Sequence, residues 1–347
     1  MQYWKKDKKL LLSTDFDIEE CFILLQLQNL ENKAIDKEKS KKLNEVYLSL
    51  IDLLILVLKE FKWSPLSRVF LDFGKILYEE KPTIITFNYD DFVETALEHA
   101  SGIRNKFESS LLFPSQINEK DFSQIIKNSQ WNWNRILGYN FKFDNIMLYD
   151  GAIGPSREKY FNKKIFYSHN KLYSWSILKL HGSLNWWKFL QFSPNTSYSD
   201  SKVKEIYQLN KDFISIQERD SVLGSTAFTL NEQLYIDPII ITPELYKRLF
   251  QSKIYKKIFT NLWRKARESL SKCESLTIIG YSFPSTDFYT KKLFLESFSK
   301  NNKLKELILV NPDKNICQKV KELCHFDQVV YFENLEKFVL EKNNGKK

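Results

Sequence analysis

The chain has 347 residues, 43% of them hydrophobic and 15% aromatic, which is enough apolar material for one large or two modest globular domains and excludes a disordered polypeptide. Its start, M-Q-Y-W-K-K-D-K-K, is charged, and residues 10–12 are too short an apolar core for a secretory leader. No uncharged apolar run nears the ~18 residues that span a bilayer, so a cytoplasmic protein with no membrane attachment is expected. The formal charge of +9 is spread along the chain and ends in a lysine-rich tail, and no nucleic-acid-binding motif accompanies it, which argues against a nucleic-acid partner. Cys21, Cys273, Cys317 and Cys324 are scattered with no C-x-x-C pair, so neither a zinc site nor a disulfide framework is expected.

Residues 16–80 read as helical. Ile18, Cys21, Phe22, Leu25 and Leu27 make one apolar face, with Asp15 or Asp17 as cap. Residues 31–42 are charged and read as a loop or an exposed turn of helix. Residues 43–61 predict a long apolar helix buried over most of its surface, and 66–77 an amphipathic one. Next comes the stretch K-P-T-I-I-T-F-N-Y-D-D-F-V-E-T-A-L. Its β-branched run at 83–87 predicts a short buried strand, bounded by Pro82 in front and Asn88-Tyr89-Asp90 behind. Phe92, Val93, Ala96 and Leu97 recur at helical spacing, and Asp90 or Asp91 can cap that helix. In a parallel α/β sheet ligands bind where strands end, so Asn88 and Asp90 stand where chemistry would be placed. Asn and Asp are also ordinary turn and cap residues, and this stretch alone favours that structural role.

Residues 101–176 are rich in Phe, Tyr, Trp and Asn and lack long periodic stretches, which predicts an insertion or a loop-rich lid. Its aromatics suit a small satellite core, with base stacking as the rarer alternative. A strand is predicted at 177–180, closed by the turn His181-Gly182-Ser183, and a polar excursion with little regular structure at 188–233. Another buried strand is predicted at 237–242 and a helix at 255–270. A strand at 276–280 turns at Y-S-F-P-S-T-D into a helix at 288–298. A strand at 307–310 ends in Asn311-Pro312-Asp313 before a helix at 315–323, and a last strand at 329–332 precedes a helix at 335–340. This alternation predicts an α/β fold: a mostly parallel sheet with helices on both faces. The expected organisation is a helical region at 1–80, a core at 81–100 and 176–347, and an insertion or lid at 101–175.

Four predicted strand ends carry polar residues of one kind: I-T-F-N-Y-D, L-K-L-H-G-S, I-I-G-Y-S-F-P-S-T-D and I-L-V-N-P-D. In order and type, over residues 17–332, they resemble the sirtuin-like NAD-binding family, closest to its bacterial branch that hydrolyses NAD in anti-phage defence. The resemblance implies a Rossmann-like core and NAD as substrate. By position, it makes His181 the catalytic histidine and Asn88 the asparagine that contacts the nicotinamide ribose and the attacking group. It gives Asp90 the carboxamide, Gly280 and Ser282 the turn near the ribose and phosphates, and Asn311 the neighbourhood of the adenosine ribose. Asp287, with Pro284, falls in the extended turn of the bacterial branch, as a substrate contact or equally as a helix cap. The chemistry agrees with these residue types. Cleaving the bond from ribose to nicotinamide develops an oxocarbenium ion, and a histidine can take the proton of the attacking water near neutral pH. An asparagine orients that nucleophile without competing as a base.

The chain departs from the family pattern in two ways. Protein deacylases of the family carry a four-cysteine zinc module after the histidine, and here no cysteine lies between His181 and Cys273, which argues against deacylation. The family also opens with a glycine-rich turn, roughly G-A-G-x-S, that cradles phosphates at a helix N-terminus. Nothing like it precedes Asp17, and the first glycine is Gly74; Gly151 and Gly154 follow no convincing strand. A truncated reading frame, a split protein completed by a partner chain, or a degenerate copy would each read this way, with residues 9–13 as a substitute strand. The hydrolase is therefore expected to be either inactive or dependent on a partner, with a homo-oligomer or a partner chain as the expected assembly. The alternative function is a non-catalytic interaction or nucleotide-sensing protein of the same fold. A nuclease ranks last, because no Asp/Glu/His cluster accompanies the positive charge.

Overall fold

The computed structural model describes residues 18–62, 67–101, 139, 145–148, 159–161, 176–191, 214–217, 228–230, 233–242, 253–284 and 287–345. The substitute strand expected at 9–13 and the glycines Gly151 and Gly154 lie outside them. The chain begins with a helical hairpin, α1 (Ile18–Asn32) and α2 (Lys37–Lys62). Its two helices meet through Phe22, Leu25 and Tyr47, with the Phe22 and Tyr47 rings edge to face at 5.5 Å. Of the two readings of the charged segment 31–42, loop or exposed turn of helix, the second is nearer: it is mostly exposed helix about a short turn. α1 runs on to Asn32, Asp36 accepts the Lys39 amide at 2.9 Å to cap α2, and Ser40 donates to the Asn29 side chain at 2.6 Å across the turn.

α2 also departs from expectation. A helix apolar on all sides was expected to be buried, yet Leu48, Leu53 and Val57 are 49%, 55% and 45% exposed. Among the described contacts α1 covers one stripe only, the side of Leu43, Tyr47, Leu50, Ile51 and Leu54. Beyond the hairpin, Tyr47 Oη and Thr242 Oγ1 share a buried hydrogen bond of 2.7 Å that ties α2 to the later part of the chain.

Helix α3 (Arg68–Glu80) starts on the Ser67 side chain, which accepts the Phe70 amide, and ends where Lys81 turns left-handed and donates to Leu77 O. Phe73, Gly74, Ile76 and Leu77 form its buried face. Gly74 is where α3 meets α4 (Phe92–Ser101): a Cβ there would lie 2.6 Å from the carbonyl oxygen of Ala96. Between them runs β1 (Thr83–Thr86), paired in parallel with β4 (Ser176–Lys179) so that Thr86 lies opposite Lys179.

The C-terminal third repeats a strand and a helix three times. β9 (Ser275–Ile279), β10 (Glu306–Val310) and β11 (Val330–Phe332) form a parallel sheet with β10 in the middle. They lead into α6 (Phe288–Phe298), α7 (Ile316–Cys324) and α8 (Leu335–Asn344). Every residue of β10 after Glu306 is buried, as befits a central strand covered on both faces. Ahead of this sheet, α5 (Lys253–Leu270) buries Phe259, Leu262, Trp263, Ala266 and Leu270 at helical spacing and packs on β4 and α6. Fully burying a side chain such as Leu262 or Phe259 contributes roughly 1.5–3 kcal/mol. These apolar faces join in one core that runs from α3 to α8.

A third sheet is of a different kind. Its order is β3 (Lys159–Phe161), β2 (Asn145–Leu148), β6 (Ile214–Gln217), β5 (Gly182–Gln191), β8 (Gln233–Ile240), β7 (Phe228–Leu230), and only the β2/β6 pair is parallel. A mostly parallel sheet was expected throughout, with an irregular excursion at 188–233; instead the middle of the chain is mainly antiparallel. The cause is local: β5 leaves β4 through a tight reversal, and only residues 231–232 separate β7 from β8, which allows a hairpin and no crossover. The fold is thus mixed α/β, with small parallel sheets and helices. Among the described residues no helix is long and apolar enough to cross a membrane.

Candidate functional site

Because β1 and β4 run parallel, both carboxyl ends open on the same edge. The Leu180 amide donates to Thr86 O at 3.0 Å, one step beyond the last strand pair, and the chain then reverses. Gly182 makes the reversal possible. Its φ is +84°, and a Cβ would meet Ile239 O at 2.0 Å, so only glycine lets β5 start directly against β8. His181 is fixed between these features: its carbonyl accepts the Ile241 amide at 2.7 Å, and the residue is buried.

The loop after β1 is tied to the same turn. Tyr89 O accepts the Leu184 amide at 2.8 Å and the Ser183 hydroxyl at 3.2 Å, and Tyr89 Oη donates to Ile241 O at 2.7 Å. Asn88 is held by its backbone, which donates to Thr86 Oγ1 at 3.1 Å, and is itself exposed. Asp90 accepts the Phe92 amide at 3.1 Å, so the capping role read from the sequence is realised at α4. Burial pushes the Asp90 carboxyl above the usual carboxylate range, against the opposing pull of the Lys179 ammonium and the Phe92 amide.

Behind this loop is a polar group that the sequence reading missed. Lys179 lies in β4 with its side chain 1% exposed, donates to Asp90 O, and pairs at 2.9 Å with Glu94, whose side chain is fully buried. Tyr139 Oη donates to the same Glu94 oxygen at 2.7 Å, which brings a residue of the expected insertion onto the core. The signal was present, since a lysine inside the apolar run S-I-L-K-L needs a buried partner.

The second pair of strand ends comes from β9 and β10. Gly280 has φ +68° and donates its amide to Val310 O at 2.9 Å; a Cβ there would meet nothing within 4 Å, so conformation and not crowding requires the glycine. Ser282 follows it and is exposed. Asn311 is buried and brackets the two exits, donating from Nδ2 to Tyr281 O at 3.2 Å and accepting the Asp313 amide on Oδ1 at 2.9 Å. Its backbone is also held, since Tyr331 Oη donates to Asn311 O at 2.8 Å. Phe283 is buried with φ +53°, a strained setting for an aromatic residue, and Lys319 donates to its carbonyl.

Asp287 is the N-cap of α6. Oδ1 accepts the Thr290 amide at 3.1 Å, while Oδ2 accepts the Thr290 hydroxyl at 2.6 Å and Tyr281 Oη at 2.7 Å. Of the two roles left open for it by the sequence, the cap is present. The same Oδ2 stands 3.8 Å from His181 Nε2, a contact that no single strand end reveals.

Aromatic rings join the two pairs of strand ends. Phe87 sets its edge to His181 at a centroid distance of 5.2 Å and stacks on Tyr281 at 4.6 Å. Trp263 from α5 lies 6.3 Å from His181 and meets Tyr289 edge to face at 6.2 Å. The arrangement thus offers a buried imidazole beside a carboxylate, walled by rings, next to an exposed asparagine and an open glycine turn. That set can accept a proton, orient a polar group and cover a planar or sugar ring. Among the described residues, no three His, Cys, Asp or Glu side chains group as metal ligands. His181, Asn88 and Asp90 are gathered on the β1/β4 side, Gly280, Ser282, Asn311 and Asp287 on the β9/β10 side, and the His181–Asp287 and Phe87–Tyr281 contacts connect them. Comparison of the chain with protein-family models, with curated proteins and with solved structures finds no match.

Proposed function

We propose that this chain is a sirtuin-like NAD hydrolase with a Rossmann-like core, acting in the cytoplasm in bacterial anti-phage defence and cleaving the bond between nicotinamide and ribose. The observation that carries the reading is the meeting of His181 with the loop of Asn88 at the open ends of the parallel pair β1 and β4. His181 is the general base. Water, oriented by the exposed Asn88 amide, attacks the anomeric carbon as the bond to the nicotinamide nitrogen breaks. The electron pair of that bond goes to the pyridine ring, the water proton goes to His181, and ADP-ribose and nicotinamide leave. Asp90 holds the carboxamide, whose N–H its carboxyl oxygens can accept. Gly280 and Ser282, exposed at the end of β9, approach the ribose and phosphates, and Asn311 keeps that turn in place.

The test is nicotinamide release from NAD by the purified chain, beside His181→Ala and Asn88→Ala. The expected outcome is release by the parent and a loss of about 10²–10⁴-fold in the histidine variant, the usual contribution of a positioned base. No release by folded parent protein contradicts the reading. A second reading, a non-catalytic interaction or nucleotide-sensing protein of the same fold, draws on the exposed leucines of α2. NAD that raises the unfolding temperature without being cleaved would favour it.

A further inference from the structure

We propose that Asp287 is the positioning residue for His181: a buried carboxylate, fixed as an anion at the start of α6, that orients the imidazole and supports its protonated form. The inference rests on the hydrolase reading only for the moment at which His181 becomes protonated; the pairing itself is a property of the free chain. His181 Nε2 and Asp287 Oδ2 are 3.8 Å apart, within ion-pair reach and longer than a hydrogen bond, and their side chains are 10% and 7% exposed. At that length the carboxylate acts on the ring through its charge, which favours a proton on the nitrogen that faces it, Nε2.

The surroundings of Asp287 favour its ionised form. Three protein donors point at the carboxylate: Tyr281 Oη, the Thr290 hydroxyl and the Thr290 amide. Hydrogen bonds of this kind, together with the positive end of the α6 macrodipole, stabilise a carboxylate where burial alone would neutralise it. The surroundings of His181 need such a charge. Its described ring neighbours are Phe87 and Tyr89 beyond β1, and Trp263 on α5. These hydrate an imidazolium poorly. From the β9 side come Asp287, which brings a negative charge, and, through it, the Tyr281 hydroxyl. Tyr281 links the two functions, since it stacks on Phe87 against the histidine and holds Asp287 with its hydroxyl.

The experiment is an NMR titration of ¹³Cε1-labelled histidine in the full chain, with the His181 resonance identified by its absence in His181→Ala. Parent protein is compared with Asp287→Asn and Asp287→Ser, both of which keep an N-cap acceptor for Thr290 and remove the charge. The expected result is a His181 midpoint lower by on the order of 1 pH unit in both variants, in protein whose unfolding temperature stays near that of the parent. Equal midpoints in parent and folded variants overturn the proposal. Nicotinamide release is followed on the same samples. With release present, the acid limb of kcat/KM moves down with the midpoint. With the midpoint shifted and no release from any sample, the pairing stands and the hydrolase reading falls.

Discussion

Two buried pairs of opposite polarity sit on either side of the loop that follows β1, and they are built differently. Lys179 and Glu94 are in contact at 2.9 Å with almost no exposure, and both are further satisfied, the lysine by Asp90 O and the glutamate by Tyr139. His181 and Asp287 stand 3.8 Å apart, nearer the open edge, with the histidine between aromatic rings. The first pair is closed to solvent, with both of its donors on Glu94 Oε1 and, among the described residues, Oε2 buried without a partner, and it holds the loop through Asp90 O. The second has slack and a titratable member, so it can change state. On the proposed function, the first pair supports and the second takes part in the chemistry.

The largest expected effect comes from breaking the closed pair. Lys179→Met leaves Glu94 buried without its counter-ion and should lower stability by about 3–5 kcal/mol in a denaturant titration. Adding Glu94→Leu should return most of that loss, because removing both charges costs far less than orphaning one. If the double variant is as unstable as the single one, the pair is not the reason for the loss. Next in size is Gly182→Ala, which forces a Cβ onto Ile239 O at a left-handed φ and should cost about 1–3 kcal/mol by displacing the start of β5. Because His181 is its neighbour, release should fall with it, while a substitution at the exposed Ser282 leaves stability unchanged.

Smaller effects sharpen the comparison. Tyr47→Phe removes the hydrogen bond to Thr242 and should cost about 1 kcal/mol, a measure of how firmly the helical hairpin is tied to the chain beyond β8. Asp90 gives a pH dependence. Its carboxyl is raised by burial in the folded protein, so the folded state holds more protons than the unfolded state across the interval just above the ordinary carboxylate value. Stability contributed there falls as pH rises through that interval. Asp90→Asn, which keeps the acceptor for the Phe92 amide, should flatten this part of a stability profile measured between pH 3 and 7. An unchanged slope would mean that Asp90 does not titrate as its burial implies.

Much of this arrangement is legible in the sequence where the information is local. The helix at 288–298 begins where Asp287 caps it and Pro284 restricts the approach, and the strands of the last third are short apolar runs between turn residues. His181 at its strand end reads by itself as an ordinary structural histidine and stands out only through the family resemblance; that Gly182 beside it is needed shows only in the contact with Ile239 O. What escaped is long-range. Lys179 meets Glu94 across 85 residues, and Asp287 meets His181 across more than a hundred, so neither partner is named by spacing. In the antiparallel sheet of the middle of the chain the β7/β8 hairpin is local, but β5 pairs with β6 and β8 across long stretches of sequence, which spacing does not reveal. The exposure of α2 was misjudged because composition reveals how apolar a helix is and not how many neighbours it has.

The most direct test puts both pairs through one assay, nicotinamide release from NAD by folded His181→Ala and by the Lys179→Met, Glu94→Leu double variant, each beside the parent. The account predicts that the double variant keeps most of the parental release and that His181→Ala loses it at unchanged stability. Release that survives in His181→Ala, or that vanishes in a well-folded double variant, would contradict the division between the pair that supports and the pair that reacts.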